Sequence, residues 1–217
     1  MLEAWWSILE RGGPVMWPLL VLSVVSLTLS LERSAWLVSA GRASSWAAAR
    51  RASDALRRKR PAEAEAGIKQ AGPLFGVFVR DLVRMPNDRS DARLVEAIET
   101  HRARVERFLP WLSMIITAAP MLGVLGTVLG IIESFELIGG RGEALGASGM
   151  DPRDVGAGIA EALVSTAAGL VVALLTLLPY VWLRARADAL VGKLEALALS
   201  AQGLPSQDES ASAESDG

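Results

Sequence analysis

The sequence predicts an all-α integral membrane protein with three transmembrane helices and long helices extending from the bilayer on one side. Three observations predict it. Apolar residues make up 51% of the 217 residues and the mean hydropathy is +0.33. Three stretches are long and uncharged enough to cross the hydrocarbon core, which takes about 20 apolar residues in a helix. The basic residues are also strongly segregated, with 16 of the 22 between positions 33 and 107.

The elements follow in chain order. Residues 1–11 form a short external segment holding Glu3, Glu10 and Arg11. The first span is placed at 12–38, since Gly12 to Leu31 carries no charge. Its acidic leading segment and the lack of a clean small-residue cleavage site argue for a retained span, not a signal peptide. Trp5, Trp6 and Trp17 flank its start and Trp36 its end, as interfacial anchors do. Residues 39–107 read as a helical domain. Ala-rich charged stretches (Ala43 to Lys59, Ala62 to Gln70, Arg89 to Arg107) are punctuated by Pro61, Pro73 and Pro86. The run Arg57, Arg58, Lys59, Arg60 reads as a topogenic, lipid-facing patch in preference to a nucleic-acid site.

The second span is placed at 108–136, uncharged from Phe108 to Ile132, and a loop at 137–154 follows. The third span is placed at 155–184, and Val155 to Leu183 is broken only by Glu161. A short helix at 185–199 and an acidic, Ser-rich tail at 200–217 (Asp208, Glu209, Glu214, Asp216) complete the chain; the tail composition is that of a disordered segment. The rule that basic residues stay on the cytoplasmic side puts 39–107 and the C-terminus inside and the N-terminus and 137–154 outside.

Composition also excludes classes. There is no cysteine, which removes disulfides, thiolate metal sites and cysteine nucleophiles. The single histidine, His101, lies in a charged stretch and reads as a surface residue. There is no Walker A loop and no GxGxxG before a helix. No catalytic residue, metal ligand or cofactor is read from the chain, and the expectation is a protein that is not an enzyme.

The second and third spans each carry a face of small residues. At about 100° per residue, Gly158, Glu161, Ala162, Ser165, Thr166, Ala168, Gly169, Val172, Ala173 and Thr176 share one arc of the third span, with leucines opposite. On the second, Thr127 shares an arc with Ser113, Ala119, Pro120, Gly123, Gly126, Gly130 and Ser134. Such faces serve close helix packing, and hydroxyls on them bond across helices or to water. Glu161 adds a second meaning. It lies roughly 9 Å inside the span at 1.5 Å per residue. A carboxylate there costs on the order of a few kcal/mol, and intramembrane carboxylates commonly mark ion paths. Glu161, Thr127, Thr166 and Ser165 are therefore the candidate pathway.

Two segments carry a family resemblance. Ala119-Pro120-Met121-Leu122-Gly123-Val124-Leu125-Gly126-Thr127-Val128-Leu129-Gly130 closely resembles the A-P-L-L-G-L-L-G-T-V-x-G signature of the MotA/TolQ/ExbB proton-channel family. Gly158-Ile159-Ala160-Glu161-Ala162-Leu163-Val164-Ser165-Thr166-Ala167-Ala168-Gly169-Leu170 resembles that family's G-I-A-E-A-L-x-x-T-A-x-G-L. Three spans and the chain length fit the ExbB/TolQ branch; MotA itself is longer, with four spans. The resemblance implies a multi-pass protein of the bacterial inner membrane, with the N-terminus periplasmic and the C-terminus cytoplasmic. It implies a homopentamer around single-span ExbD/TolR-like partners whose membrane aspartate carries the proton. It implies work delivered to outer-membrane transport or envelope maintenance, with a TonB/TolA-like protein as a further partner. It assigns Glu161, Thr127 and Thr166 to the pore lining, and Pro120 with Gly123, Gly126, Gly130, Gly158 and Gly169 to packing.

The chain departs from the pattern at Leu174-Leu175-Thr176-Leu177, where the family often has I-P-A-V, and at Val181, where it has Asn. Neither the Ton nor the Tol pathway is assigned, and a carboxylate with hydroxyls serves H⁺ or Na⁺. Two other readings stand beside the motor: a non-conducting membrane scaffold of the same fold, and a small-molecule transporter, for which three spans without an inverted repeat are few.

Overall fold

The computed structural model describes residues 13–58, 60–85, 91–145 and 152–201, with backbone only at 91, 137–145, 152–155, 157, 161 and 201. The expected external segment 1–11, Lys59 of the basic run, the middle of the 137–154 loop and the tail beyond 201 lie outside the described residues. All described elements are helices: α1 (Met16–Ala40), α2 (Ala43–Arg57), α3 (Pro61–Gln70), α4 (Gly72–Arg84), α5 (Asp91–Val105), α6 (Leu109–Leu145) and α7 (Pro152–Ala201). Three helical stretches are long and apolar enough to cross a membrane: Met16–Ala40, Leu109–Glu136 and Gly158–Ser200. The chain divides into two compact units.

The first unit comprises Met1–Leu31 and Phe108–Val181. Its buried apolar cluster is small, with Val15, Met16 and Leu19 of the N-terminal stretch against Ile115 and Ala119 of α6 and Val172 and Ala173 of α7. Its outward faces are apolar instead. Leu27, Leu31, Met121, Leu163, Leu174 and Leu178 are each more than 60% exposed. In water such a surface would drive association; hydrocarbon is the solvent that suits it. A buried hydroxyl pair, Ser26 Oγ to Thr176 Oγ1 at 2.6 Å, joins α1 to α7. Thr176 also donates back to Val172 O at 2.8 Å, so Ser26 is the donor in the pair.

The second unit comprises Glu32–Arg107 and Trp182–Gly217. Its core is built on α4, whose Leu74, Phe75, Phe78, Val79 and Leu82 are all buried. The sequence reading named no helix over this stretch and took Pro61 and Pro73 as breaks. In the structure both prolines stand in the first turns of α3 and α4. Proline is favoured there because its missing N–H would have no helical partner and its φ is already helical. The chain turns between α3 and α4 at Gly72, whose φ of +77° is left-handed and suits glycine.

His101 corrects the sequence reading. It is buried, 3% exposed, not a surface residue. The buried positions of α5 are Leu94, Ala97, His101 and Val105, at spacings of three and four, so His101 falls on the core line of an amphipathic helix. Its Nε2 lies 3.1 Å from Asp81 Oδ2 and its ring stands edge-on to Phe78, 5.1 Å between centroids.

Arg33 is also buried. Its Nη2 donates to Arg104 O and Val105 O, the last carbonyls of α5, and its guanidinium lies 4.2 Å over the Trp36 ring. Helix-terminal carbonyls lack intrahelical donors, so Arg33 acts as a C-terminal cap supplied by another helix. Arg33→Ala is expected to destabilise the second unit by about 2–3 kcal/mol, the scale of losing charged hydrogen bonds in a buried setting. Thermal unfolding of the purified protein in detergent reads this as a lowered Tm, which Arg33→Lys restores only in part.

Candidate functional site

The candidate site is the seam between α6 and α7. On α6 the small residues Ala119, Gly123, Gly126, Gly130 and Ser134 recur at spacings of three and four. On α7 Gly158, Ala162, Ser165 and Gly169 do the same. The structure pairs them in antiparallel order. A Cβ on Gly158 would run into Ser134 Oγ. One on Gly130 would lie 2.9 Å from Ala162 Cβ, and one on Gly126 2.7 Å from Ser165 Cβ. A Cβ on Gly123 would lie 3.0 Å from Ser165 O and from Thr166 Cα, and one on Gly169 2.5 Å from Ala119 O. At Gly126, Gly130 and Gly169 the added carbon meets a Cβ or backbone atom that cannot rotate aside, so the helices would have to shift; at Gly123 the fit is tight, and at Gly158 the Ser134 hydroxyl would have to turn away.

Close approach brings hydroxyls of one helix to the backbone of the other. Ser165 Oγ donates to Ala162 O at 2.7 Å on its own helix and lies 3.2 Å from Gly123 O across the seam. Thr166 Oγ1 donates to the same Gly123 O at 3.0 Å. One α6 carbonyl therefore faces two α7 hydroxyls. Ser165 is 1% exposed and its role within the chain is to join the two helices. Thr166 and Thr127 are only half-buried, and Thr127 Oγ1 donates to Val124 O at 2.6 Å on its own helix. In both threonines the hydroxyl proton is engaged and the lone pairs remain to accept.

Pro120 lies seven residues before Thr127, on nearly the same line of α6, and is half-buried. It interrupts the α6 hydrogen-bond ladder, because it has no N–H for the carbonyl four residues earlier.

The structure brings Gly123, Gly126, Ser165 and Thr166 into one cluster. It does not bring Thr127 into hydrogen-bond contact with them. The Glu161 backbone belongs to α7, in its third turn; its side chain lies outside the described residues. Helical register places it one turn N-terminal to Ser165, about 6 Å along the axis, and one residue before the seam position Ala162. It is five residues from Thr166, so the two stand about 140° apart, with the seam line between them. Seven residues after Glu161, on the same line of α7, Ala168 packs against the Val15–Leu19 cluster.

The sequence reading did not single out Ser26, the α1 partner of Thr176. Its signal was the spacing of Ser23, Ser26 and Ser30 at three and four within an otherwise apolar span, of which Ser26 and Ser30 are 5% exposed. Among the described residues no cluster of His, Asp and Glu could hold a metal ion.

Residues 68–196 match the model of the MotA/TolQ/ExbB proton channel family. A biopolymer transport protein named ExbB-like 3, from Synechocystis sp., is 37% identical over 175 residues, covering 77% of this chain and 79% of that protein. The Tol-Pal system protein TolQ of Pseudomonas aeruginosa is 29% identical over 214 residues, covering 87% of this chain and 86% of its own. The biopolymer transport protein exbB1 of Vibrio cholerae is 27% identical over 200 residues, with 89% and 85% covered.

Proposed function

The chain belongs to the MotA/TolQ/ExbB proton channel family, and from that premise we propose that it is the channel-forming subunit of an inner-membrane motor driven by the proton-motive force. In this reading it forms a homopentamer around an ExbD/TolR-like single-span partner. A TonB/TolA-like protein carries the work to outer-membrane transport or envelope maintenance. The segregation of basic residues supports an N-terminus in the periplasm and a C-terminus in the cytoplasm.

The observation that carries the reading is the α6–α7 seam: Glu161 one turn N-terminal to Ser165 in a glycine-tight pair of helices, with Thr127 and Thr166 half-buried along it. In this reading Glu161 takes up the proton near the outer face. The seam holds the helices rigidly enough to keep a narrow path. Thr127 and Thr166, with their protons engaged in the helices and lone pairs free, accept from a protonated carboxylic acid or from water. Ser165 contributes by positioning, since its hydroxyl lies inside the seam. Glu161 and Thr166 diverge around α7, so the path requires adjacent copies or the partner to bridge the two lines.

The test is proton uptake by liposomes containing this protein with and without its single-span partner. Uptake that requires the partner is the expected result; no uptake from a complex shown to be assembled would leave the fold as a scaffold. Thr127→Val and Thr166→Val are expected to lower partner-dependent uptake several-fold while the complex still assembles, because valine keeps the shape and removes the hydroxyl. Loss of insertion or assembly would assign these threonines to packing instead.

A further inference from the structure

We propose that the acidic segment 202–217 of this chain docks on the basic face of α2 in the second unit. The charge balance of the two partners is opposite. Residues 50–60 hold six basic residues and one acid, Asp54, whereas 202–217 hold four acids and no basic residue. Arg50, Arg51, Arg57 and Arg58 are exposed, and among the described residues no ion pair engages them. Arg60 is engaged locally, 3.1 Å from Glu63 Oε1. Four unpaired guanidinium groups within two turns repel one another, and an acidic segment relieves that repulsion.

Position adds a second, independent reason. The C-terminal part of α7 lies against α2: Ser200 Oγ, in its last turn, is 3.1 Å from Ser53 Oγ, and Lys193 Nζ, two turns earlier, stands 5.8 Å over the Trp46 ring. Ser53 is three residues from Arg50 and four from Arg57, its neighbours along one line of α2. The acidic segment therefore leaves the described structure beside the basic face. Asp208 is eight residues beyond Ser200, a reach of up to about 27 Å when extended. That exceeds the length of α2 it must cover, and a short tether keeps the effective concentration of the acids at the face high. The docked segment would shield these arginines from polyanions and from anionic lipid headgroups.

The chain has no cysteine, so two introduced ones can be spin-labelled selectively. Full-length protein carrying Ser212→Cys and exposed Ala62→Cys, diluted into unlabelled copies in phosphatidylcholine nanodiscs, reports the distance by pulsed electron paramagnetic resonance. At low salt a single dominant distance is expected. It should broaden at about 0.5 M salt, where exposed charges are screened within a few ångströms. It should broaden equally in a chain with Asp208→Asn, Glu209→Gln, Glu214→Gln and Asp216→Asn, changes that leave the spans untouched. A distribution that is broad at low salt, or indifferent to salt and to neutralisation, would overturn the proposal. Loss of the dominant distance in phosphatidylglycerol nanodiscs at low salt would overturn it too and assign the arginines to lipid.

Discussion

Glu161→Gln is expected to reduce partner-dependent proton uptake to the level of protein-free liposomes, a loss of tenfold or more. Glutamine keeps the length and shape of the side chain and nearly all of its polarity. It removes only the ability to bind and release a proton, so the variant separates chemistry from packing. Insertion and assembly should survive, because the substitution leaves untouched the contacts that Gly158, Ala162, Ser165, Thr166 and Gly169 of α7 make with α6. The complex should be recovered in wild-type amount. Glu161→Asp should retain part of the flux, with the carboxylate withdrawn by one methylene. Uptake at the wild-type rate in Glu161→Gln would show that the proton passes without Glu161. An intramembrane carboxylate costing on the order of a few kcal/mol would then need another reason to be there.

The membrane architecture and the seam were legible in the sequence for different reasons. Spans show themselves because hydrocarbon imposes a length and a composition that no competing force overrides. The α6–α7 seam was legible as a stripe of small residues, because glycine at three- and four-residue spacing has few other uses inside an apolar helix. Its atomic pairing was not legible: that Ser165 faces Gly126 and shares the Gly123 carbonyl with Thr166 depends on the register between two helices. Ser165 was read as pore-lining from its arc alone, yet within the chain it is a seam residue. The second unit was read least well. His101 was judged by its charged neighbours in sequence, while its burial follows from its line on α5, shared with Leu94, Ala97 and Val105. α4 is hidden in the sequence because Pro73 reads as a break, when a proline in the first turn starts a helix as readily as one further on ends it. Ser26 escaped because a serine in an apolar span has a meaning only once its partner, Thr176, is known.

Gly169→Ala is expected to be the most damaging single methyl in the seam, with a cost of about 1–3 kcal/mol from overpacking alone. The added Cβ would lie 2.5 Å from Ala119 O, 3.1 Å from Gly123 Cα and 3.2 Å from Gly123 N, all backbone atoms of one helical turn. Backbone cannot rotate aside as a side chain does, so the helices must separate. Separation in turn stretches the Ser165 and Thr166 contacts to Gly123 O, already at 3.2 and 3.0 Å, beyond useful hydrogen-bond length. The loss therefore compounds, and shrinking a facing side chain cannot rescue it. Gly192 in the second unit is the internal control. A Cβ there meets nothing within 4 Å, so Gly192→Ala should be neutral or should stabilise the helix by up to about 1 kcal/mol. Melting temperature and oligomer yield in detergent, measured on both variants, decide the matter. A drop in both for Gly169→Ala, with Gly192→Ala unchanged or higher, establishes that the seam is closed to the limit of backbone contact. Equal behaviour of the two would mean that α6 and α7 sit farther apart in the membrane, and that Thr166 is held by something other than this seam.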